Sequence, residues 1–255
     1  MKSLLAFLLL PASMFAVELS PKTLAEFRAY MEVADRSVQN RPHTKNSHLP
    51  VTATSGPQIM PYDTKGPRGL TAGLVHDWVG AIFVPNAKAA DAVAVLQDVN
   101  RYKEIYSPDV IDSRVVKRDG DHIFAFMRVL KKKVITVVLD TEYDVEYRNK
   151  GNGRYEVWSR STRIAEVEHA GHEQEHSKPP DTGYGFLWRL NSYWLIEERD
   201  GGVYMECRAI SLTRDIPLGV AWAVKPMVTS LPRESLLVTL EGTRAAVEAR
   251  VKKDL

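Results

Sequence analysis

The residues with the most evident chemical potential form a run of histidines and carboxylates between Glu168 and His176. The run reads EHAGHEQEH, and its last five letters match the His-Glu-x-x-His signature of zinc metalloproteases. On a helix, His172 and His176 would share a face and could bind zinc. The segment contains glycine and leads into two prolines, without apolar residues to anchor a helix. We therefore interpret it as a solvated loop and predict no metal site.

Aromatic and arginine side chains form a second group with chemical potential. Trp188, Tyr193 and Trp194 stand close together in one stretch, where they could line a ligand pocket or pack a core. Arginines interrupt apolar or mixed stretches at Arg128, Arg163, Arg189 and Arg208. Because a buried charge is costly unless it is paired, these arginines lie either on a solvated face or beside carboxylates such as Glu206 inside a cavity.

The sequence contains no arrangement that specifies a reaction. It has no evident Ser-His-Asp order and no glycine-rich phosphate loop after a strand, so we assign no catalytic residue and no cofactor. The single cysteine, Cys207, lies in an alternating apolar stretch, which favours a buried, inert thiol over a nucleophile.

The amino-acid composition is typical of a folded protein that does not bind nucleic acid. The 255 residues are 44% hydrophobic, which is enough for a substantial core and one main domain. The formal charge is +2, with acidic and basic residues mixed along the chain, so we expect no nucleic-acid partner.

The N-terminus is typical of an exported protein. Lys2 precedes a short apolar run, and small residues lead to a cleavage site after Ala16, so residues 1–16 read as a signal peptide. The alternative is a buried N-terminal helix. No other run approaches the ~20 apolar residues that span a bilayer, and we expect a secreted or periplasmic protein.

Two regions follow the signal peptide. Residues 17–72 form an extension, with a helix that begins at Ser20-Pro21 and a Pro- and Gly-rich loop region. Residues 73–255 form the main domain. It comprises a strand over 74–84, a helix over 87–96 capped by Asn86, a second short helix, a series of strands, and a final helix that is broken by Pro226 and Pro232 and runs cleanly from Arg233.

The strand over residues 135–147 shows which kind of sheet to expect. Its odd-numbered residues are mostly apolar, and charged residues alternate with them from Asp140 to Glu146. One covered face and one wet face indicate an antiparallel sheet. A curved antiparallel sheet that is followed by one long helix buries both apolar faces by wrapping around the helix, which usually leaves a cavity.

Two stretches resemble a known superfamily. Residues 100–115 (NRY through PDVIDSRV) and 216–236 (IPLG through LPRESL) are similar to the START-like, or SRPBCC, superfamily, which includes polyketide cyclase/dehydrase and coenzyme-Q-binding proteins and plant pathogenesis-related allergens. The resemblance implies an α+β helix-grip fold, a curved antiparallel sheet wrapped around a long C-terminal helix, over about 73–250.

The resemblance and the pattern together lead to a functional hypothesis. We expect a protein that holds a lipid or another hydrophobic small molecule between the sheet and the C-terminal helix. The alternatives are a cyclase- or dehydratase-type enzyme and an interaction module with a filled core. We expect a monomer and leave open a transient contact with a membrane. The predicted ligand-binding residues are Phe126, Arg128, Leu139, Thr141, Tyr143, Arg163, Trp188, Trp194, Met205, Trp222 and Met227.

Overall fold

The computed structural model describes residues 16–41, 49–62, 67–132, 136–215 and 221–253, and in the last range it describes side chains from Ser230 onward. Apart from Ala16, the predicted signal peptide lies outside the described residues. So do Ile135 of the alternating strand and residues 216–220 of the resemblance. Among the described residues, no helix has both the length and the apolar character that a bilayer crossing requires.

The described chain is an α+β arrangement with twelve strands and four α-helices. A 3-10 turn, Val99–Arg101, separates the second and third helices. The elements in chain order are β1 (Val17–Glu18), α1 (Pro21–Gln39), β2 (Gln58–Pro61), β3 (Arg68–Leu70), β4 (Gly73–Pro85), α2 (Ala89–Gln97), α3 (Tyr102–Ile105), β5 (Val110–Asp119), β6 (His122–Lys132), β7 (Thr136–Gly151), β8 (Arg154–Glu168), β9 (His176–Ser177), β10 (Thr182–Gly183), β11 (Arg189–Arg199), β12 (Gly202–Arg214) and α4 (Ala221–Lys253).

A large antiparallel sheet forms the body of the protein, in the order β2-β4-β12-β11-β8-β7-β6-β5. Strands β5 to β8 are successive neighbours in the sheet. A tight turn joins β5 to β6 at Gly120, whose φ of 58° favours glycine. Strand β4 pairs with β12, so the first long strand lies beside the last one. Strand β3 also pairs with β4, β9 pairs with β8, and β1 and β10 form a separate two-stranded sheet.

Helix α4 packs on one face of this sheet. Its residues Leu236, Leu240 and Val247 are buried in the main hydrophobic core. At Gly80 of β4 a Cβ atom would lie 2.6 Å from a methyl carbon of Leu240, so glycine permits the close approach of helix and strand. The helix is continuous from Ala221 to Lys253. The prediction that Pro226 and Pro232 break this helix was therefore wrong.

The N-terminal extension packs on the opposite face of the sheet. Ser20 caps α1 by accepting a hydrogen bond from the Thr23 amide, as the Ser-Pro start predicts. Buried residues of α1 form a second hydrophobic cluster with Val75, Ile210 and Leu212. Both faces of β4 and β12 are consequently covered, one by α4 and the other by α1.

The expected cap of α2 was wrong, and the loop-rich region contains two short strands. Helix α2 begins after Lys88, whose amide donates to the Asp91 carboxylate, and Asn86 instead adopts a left-handed φ of 61° in the preceding turn. The loop-rich region contains the short strands β2 and β3, which pair with β4. Strands of three or four residues leave too little alternation to reveal them in the sequence.

Candidate functional site

A cavity of about 300 Å³ lies between the large sheet and α4. Strands β5 to β8, β11 and β12 form one wall, and α4 with the region from α2 to α3 forms the other. Its lining residues are mostly aliphatic and aromatic: Leu96, Val99, Tyr102, Tyr106, Asp109, Val110, Ala125, Met127, Val129, Lys131, Val137, Leu139, Tyr143, Val145, Tyr147, Val157, Ser159, Phe186, Leu187, Leu190, Ser192, Trp194, Cys207, Ala209, Ser211, Thr213, Leu231, Pro232, Ser235, Leu236, Val238 and Thr239.

Strand alternation explains which residues reach the cavity. In β7, Val137, Leu139, Tyr143 and Val145 line it, and these belong to the apolar face recognised in the sequence. Antiparallel register carries that face into neighbouring strands, since residues directly opposite each other point to the same side. Val145, for example, pairs with Ser159 of β8, which also lines the cavity.

Two charged side chains are present among the described lining residues, and they neutralise each other. Lys131 at the end of β6 forms a hydrogen-bonded ion pair with Asp109. Their side chains are 20% and 23% exposed, so the pair lies at the rim of the cavity rather than deep inside it. The interior therefore presents no net charge from the described residues.

The tyrosines that line the cavity differ in whether their hydroxyl groups are hydrogen-bonded. Tyr147 donates to the Leu96 carbonyl at 2.5 Å, and the hydroxyls of Tyr106 and Thr243 lie 3.0 Å apart. The buried hydroxyl of Tyr143 has no hydrogen-bond partner among the described residues. Burial raises the pKa of Tyr143 to about 12, so its phenol keeps its proton at neutral pH.

His76 is a buried polar group that the sequence analysis missed. It pairs with Ser211 across β4 and β12, and its Nε2 lies 3.3 Å from Oγ1 of Thr213. Ser211 and Thr213 line the cavity, so His76 stands on the same side of the sheet. Its Nδ1 has no partner among the described residues, and burial lowers its pKa to about 4. The sequence signal for this buried group was a histidine within the apolar stretch that forms β4.

The sole cysteine also lines the cavity. Cys207 is 2% exposed, and burial raises the pKa of its thiol. A neutral thiol is a poor nucleophile, so in this setting Cys207 acts as a small apolar wall residue.

The predicted ligand-binding residues divide according to the face of the sheet. Leu139, Tyr143 and Trp194 line the cavity. Thr141 and Met205 are on the same side but are fully buried outside the lining. Thr141 donates to the Met127 carbonyl, and Met205 packs in the main core.

Four of the other predicted positions, Phe126, Arg128, Arg163 and Trp188, lie away from the cavity. Phe126 packs beneath the guanidinium of Arg114, 3.7 Å from the ring centre, and Trp188 belongs to the cluster under α1. The arginine positions Arg128 and Arg163 pair across the outer face of the sheet with Asp140 and Glu142. Trp222 and Met227 are in α4, but their side chains lie outside the described residues.

The arginines form ion pairs on the sheet face opposite the cavity. Arg208 and Asp77 are joined by two hydrogen bonds of 2.9 and 2.6 Å under α1. Glu206 does not pair with Arg208; it accepts from Arg41 and Tyr204. An arginine–glutamate set inside the cavity, one of the two alternatives open from the sequence, is not what the described residues form.

The histidine- and carboxylate-rich run forms turns followed by the short strand β9. Residues 169–175 contain no helix, so His172 and His176 are not presented on a common helical face. Glu175 instead pairs with Arg128 and accepts a hydrogen bond from the Gly171 amide. The described part of the chain contains no group of three or more potential metal ligands.

Comparisons with known proteins give structural likenesses only. No family model matches the sequence, and no curated protein matches it. A STAR-related lipid transfer protein from Xanthomonas axonopodis is 18% identical, with a TM-score of 0.47 over 78% of this chain and 99% of that chain. Human STARD10 is 12% identical, with a TM-score of 0.47 over 94% and 86% of the two chains. The Zhui aromatase/cyclase from Streptomyces sp. R1128 is 10% identical, with a TM-score of 0.45 over 70% and 94%.

The architecture of this chain shows its fold. A large, curved antiparallel sheet packs around one long C-terminal helix, and a cavity separates the two, as the order of elements predicted. This arrangement is the α+β helix-grip architecture that the sequence resemblance implied.

Proposed function

We propose that this protein is an exported carrier that holds a neutral hydrophobic small molecule in the cavity between the sheet and α4. The observation that carries the proposal is the cavity itself, a continuous space of about 300 Å³ with a mainly apolar lining. Small-molecule sites are typically concave and apolar with a few polar groups, which is the composition found here. A filled interior would instead have favoured an interaction module.

The size of the cavity restricts the ligand. Pockets for drug-sized molecules range over roughly 300–1,000 Å³, so this cavity is at the lower end. A single acyl chain or a small fused-ring compound fits such a space better than a lipid with two chains. The rim pair Asp109–Lys131 favours a neutral molecule, because an ionised ligand would face no unpaired opposite charge among the described lining residues.

Ligand entry is proposed between the loop before β11 and the first half of α4. Phe186 and Leu187 of this loop line the cavity, as do Leu231 and Pro232 of α4. The loop is anchored by Glu166, whose carboxylate accepts from the amides of residues 184 and 185 at 2.8 and 2.9 Å. With one side of the entrance anchored, opening requires a displacement of α4.

The enzymatic alternative has weaker support. General acid–base chemistry needs a group with a pKa near the working pH. Tyr143 has a pKa of about 12, and the thiol of Cys207 is shifted upward, away from neutrality. Asp109 and Lys131 are engaged with each other. The described lining groups are thus better suited to holding a molecule than to moving protons.

Export is the proposed route by which the carrier reaches its ligand. Val17 pairs with Gly183, and Leu19 is buried. Cleavage after Ala16 would therefore leave the first strand and its anchor intact in the mature chain. We further propose that the mature protein is a monomer and contacts a membrane only during exchange, which size-exclusion chromatography and vesicle flotation would test.

The experiment is native mass spectrometry, with organic extraction, of the mature protein purified from its own host. We expect a neutral apolar molecule at one copy per chain. The Ala209→Phe variant, which places a ring inside the cavity, should lose it. The Val116→Phe variant adds the same ring at a 61% exposed position and should retain it. A wild-type protein with an apo mass and no extractable molecule would overturn the carrier function.

A further inference from the structure

Tyr143 combines two properties that distinguish it from the other lining residues. Its ring forms part of the cavity wall, and the residue is 3% exposed. Its hydroxyl is buried and has no hydrogen-bond partner among the described residues. Buried polar groups are nearly always hydrogen-bonded, so an unpaired phenol at a cavity wall calls for an explanation.

None of the described neighbours of Tyr143 on the cavity side forms a hydrogen bond of good geometry with its hydroxyl. Ala125 of β6 and Ser161 of β8 are directly opposite it in the two adjacent strands. Alanine has no polar side-chain atom, and the Ser161 hydroxyl accepts from the Leu190 amide at 3.0 Å. The next residue on the same face, Thr141, donates its proton to the Met127 carbonyl. Its hydroxyl is near enough to the phenol to oppose the rise in the pKa of Tyr143, but the two groups are not in hydrogen-bond geometry.

The same neighbours leave space beside the phenol. Ala125 and Ser161 are small, and the pairing of β7 with β8 shifts register between Glu142 and Tyr143, which inserts an extra residue in β8. Such bulges re-aim side chains next to binding sites. A ligand atom could therefore approach Tyr143 from the cavity between two short side chains.

We propose that Tyr143 is the residue that recognises an oxygen acceptor, a carbonyl or hydroxyl group, on the neutral hydrophobic ligand. This inference rests on the proposed carrier function. The phenol remains protonated at neutral pH, so it can donate a hydrogen bond to such an oxygen. A pure hydrocarbon of the same shape would leave the hydroxyl unpaired and would gain only apolar contacts.

Two rigid probes of matched shape test the inference. The probes are 9-fluorenone, which carries a carbonyl, and fluorene, which has a methylene at that position. Affinities are measured by quenching of tryptophan fluorescence, since Trp194 lines the cavity. We expect the wild type to prefer fluorenone by about tenfold, the factor that one hydrogen bond of ordinary strength provides.

The Tyr143→Phe variant should abolish this preference and leave fluorene binding unchanged. Tyr193→Phe is the matched control, because that tyrosine is also buried but donates to Asp35 on the opposite face of the sheet. It should retain the wild-type preference. Thermal melting identifies the folded fraction of each variant.

The outcomes separate the inference from the function on which it rests. Equal preferences in wild type and Tyr143→Phe, with both probes bound, would overturn the role of Tyr143 and leave the carrier function standing. A higher melting temperature of Tyr143→Phe with an unchanged preference would mean that the hydroxyl is merely unpaired, and it too would overturn the inference. Failure of the wild type to bind either probe would overturn the carrier function and the inference together.

Discussion

Acidification should destabilise this protein through His76. The folded protein holds the pKa of His76 at about 4 because the ring is buried, whereas the ordinary value is 6.5. As the pH falls below about 6.5, the unfolded chain takes up a proton that the folded chain does not. The folded state therefore loses stability as the pH falls from about 6.5 toward 4.

The size of the effect follows from the two pKa values. The difference between about 4 and the ordinary 6.5 corresponds to roughly 3 kcal/mol, which is reached only below pH 4. Between pH 7 and pH 5, linkage gives a loss of about 2 kcal/mol in the free energy of unfolding. This is a sizeable part of the stability of a typical domain.

Urea unfolding at pH 7 and pH 5, for wild type and His76→Gln, measures this loss. Other groups also titrate: the pKa of Asp140 is lowered by hydrogen bonds from Arg128 and Ser177 despite its burial, while burial raises that of Glu166. Their effects cancel in the comparison between the two proteins, provided that the sites are independent. We expect the wild type to lose about 2 kcal/mol more than His76→Gln.

His122→Gln is a control with the opposite sign. A hydrogen bond with Asp144 raises the pKa of His122, so this histidine stabilises the folded state at low pH. Its removal should make the loss on acidification steeper. Equal losses for wild type and His76→Gln, or an NMR titration of His76 with a midpoint near 6.5, would refute the reasoning.

Two further substitutions test the packing on each face of the sheet, both by urea unfolding. Asp77→Ala leaves the buried guanidinium of Arg208 without its carboxylate and should cost about 3–5 kcal/mol; a loss below about 1 kcal/mol would mean that the pair behaves as a surface ion pair. Gly242→Ala places a Cβ atom 2.4 Å from the Ile105 carbonyl oxygen and should cost about 1–3 kcal/mol. Gly69→Ala has no atom within 4 Å and should be near neutral, and equal effects of the two substitutions would contradict a clash.

The sequence by itself determined the order of the long strands and helices and the class of the sheet. Alternation in β7 identifies a covered and a wet face, since neighbouring side chains of a strand point to opposite sides. Tight-turn residues such as Asp119-Gly120 join successive strands and so place them side by side. The long apolar stripe around Leu236 and Leu240 then requires a sheet to cover it.

Only the tertiary structure decided which residues form the site. In β12 nearly every residue is buried, because α4 covers one face and α1 the other, so alternation could not show on which side Arg208 lies. The position of α1 depends on long-range contacts that leave no periodic signal. Likewise, the unpaired state of Tyr143 and the environment of His76 are set by what neighbouring strands place beside them. Strand register and curvature bring those partners together across long stretches of chain, and no local pattern encodes them.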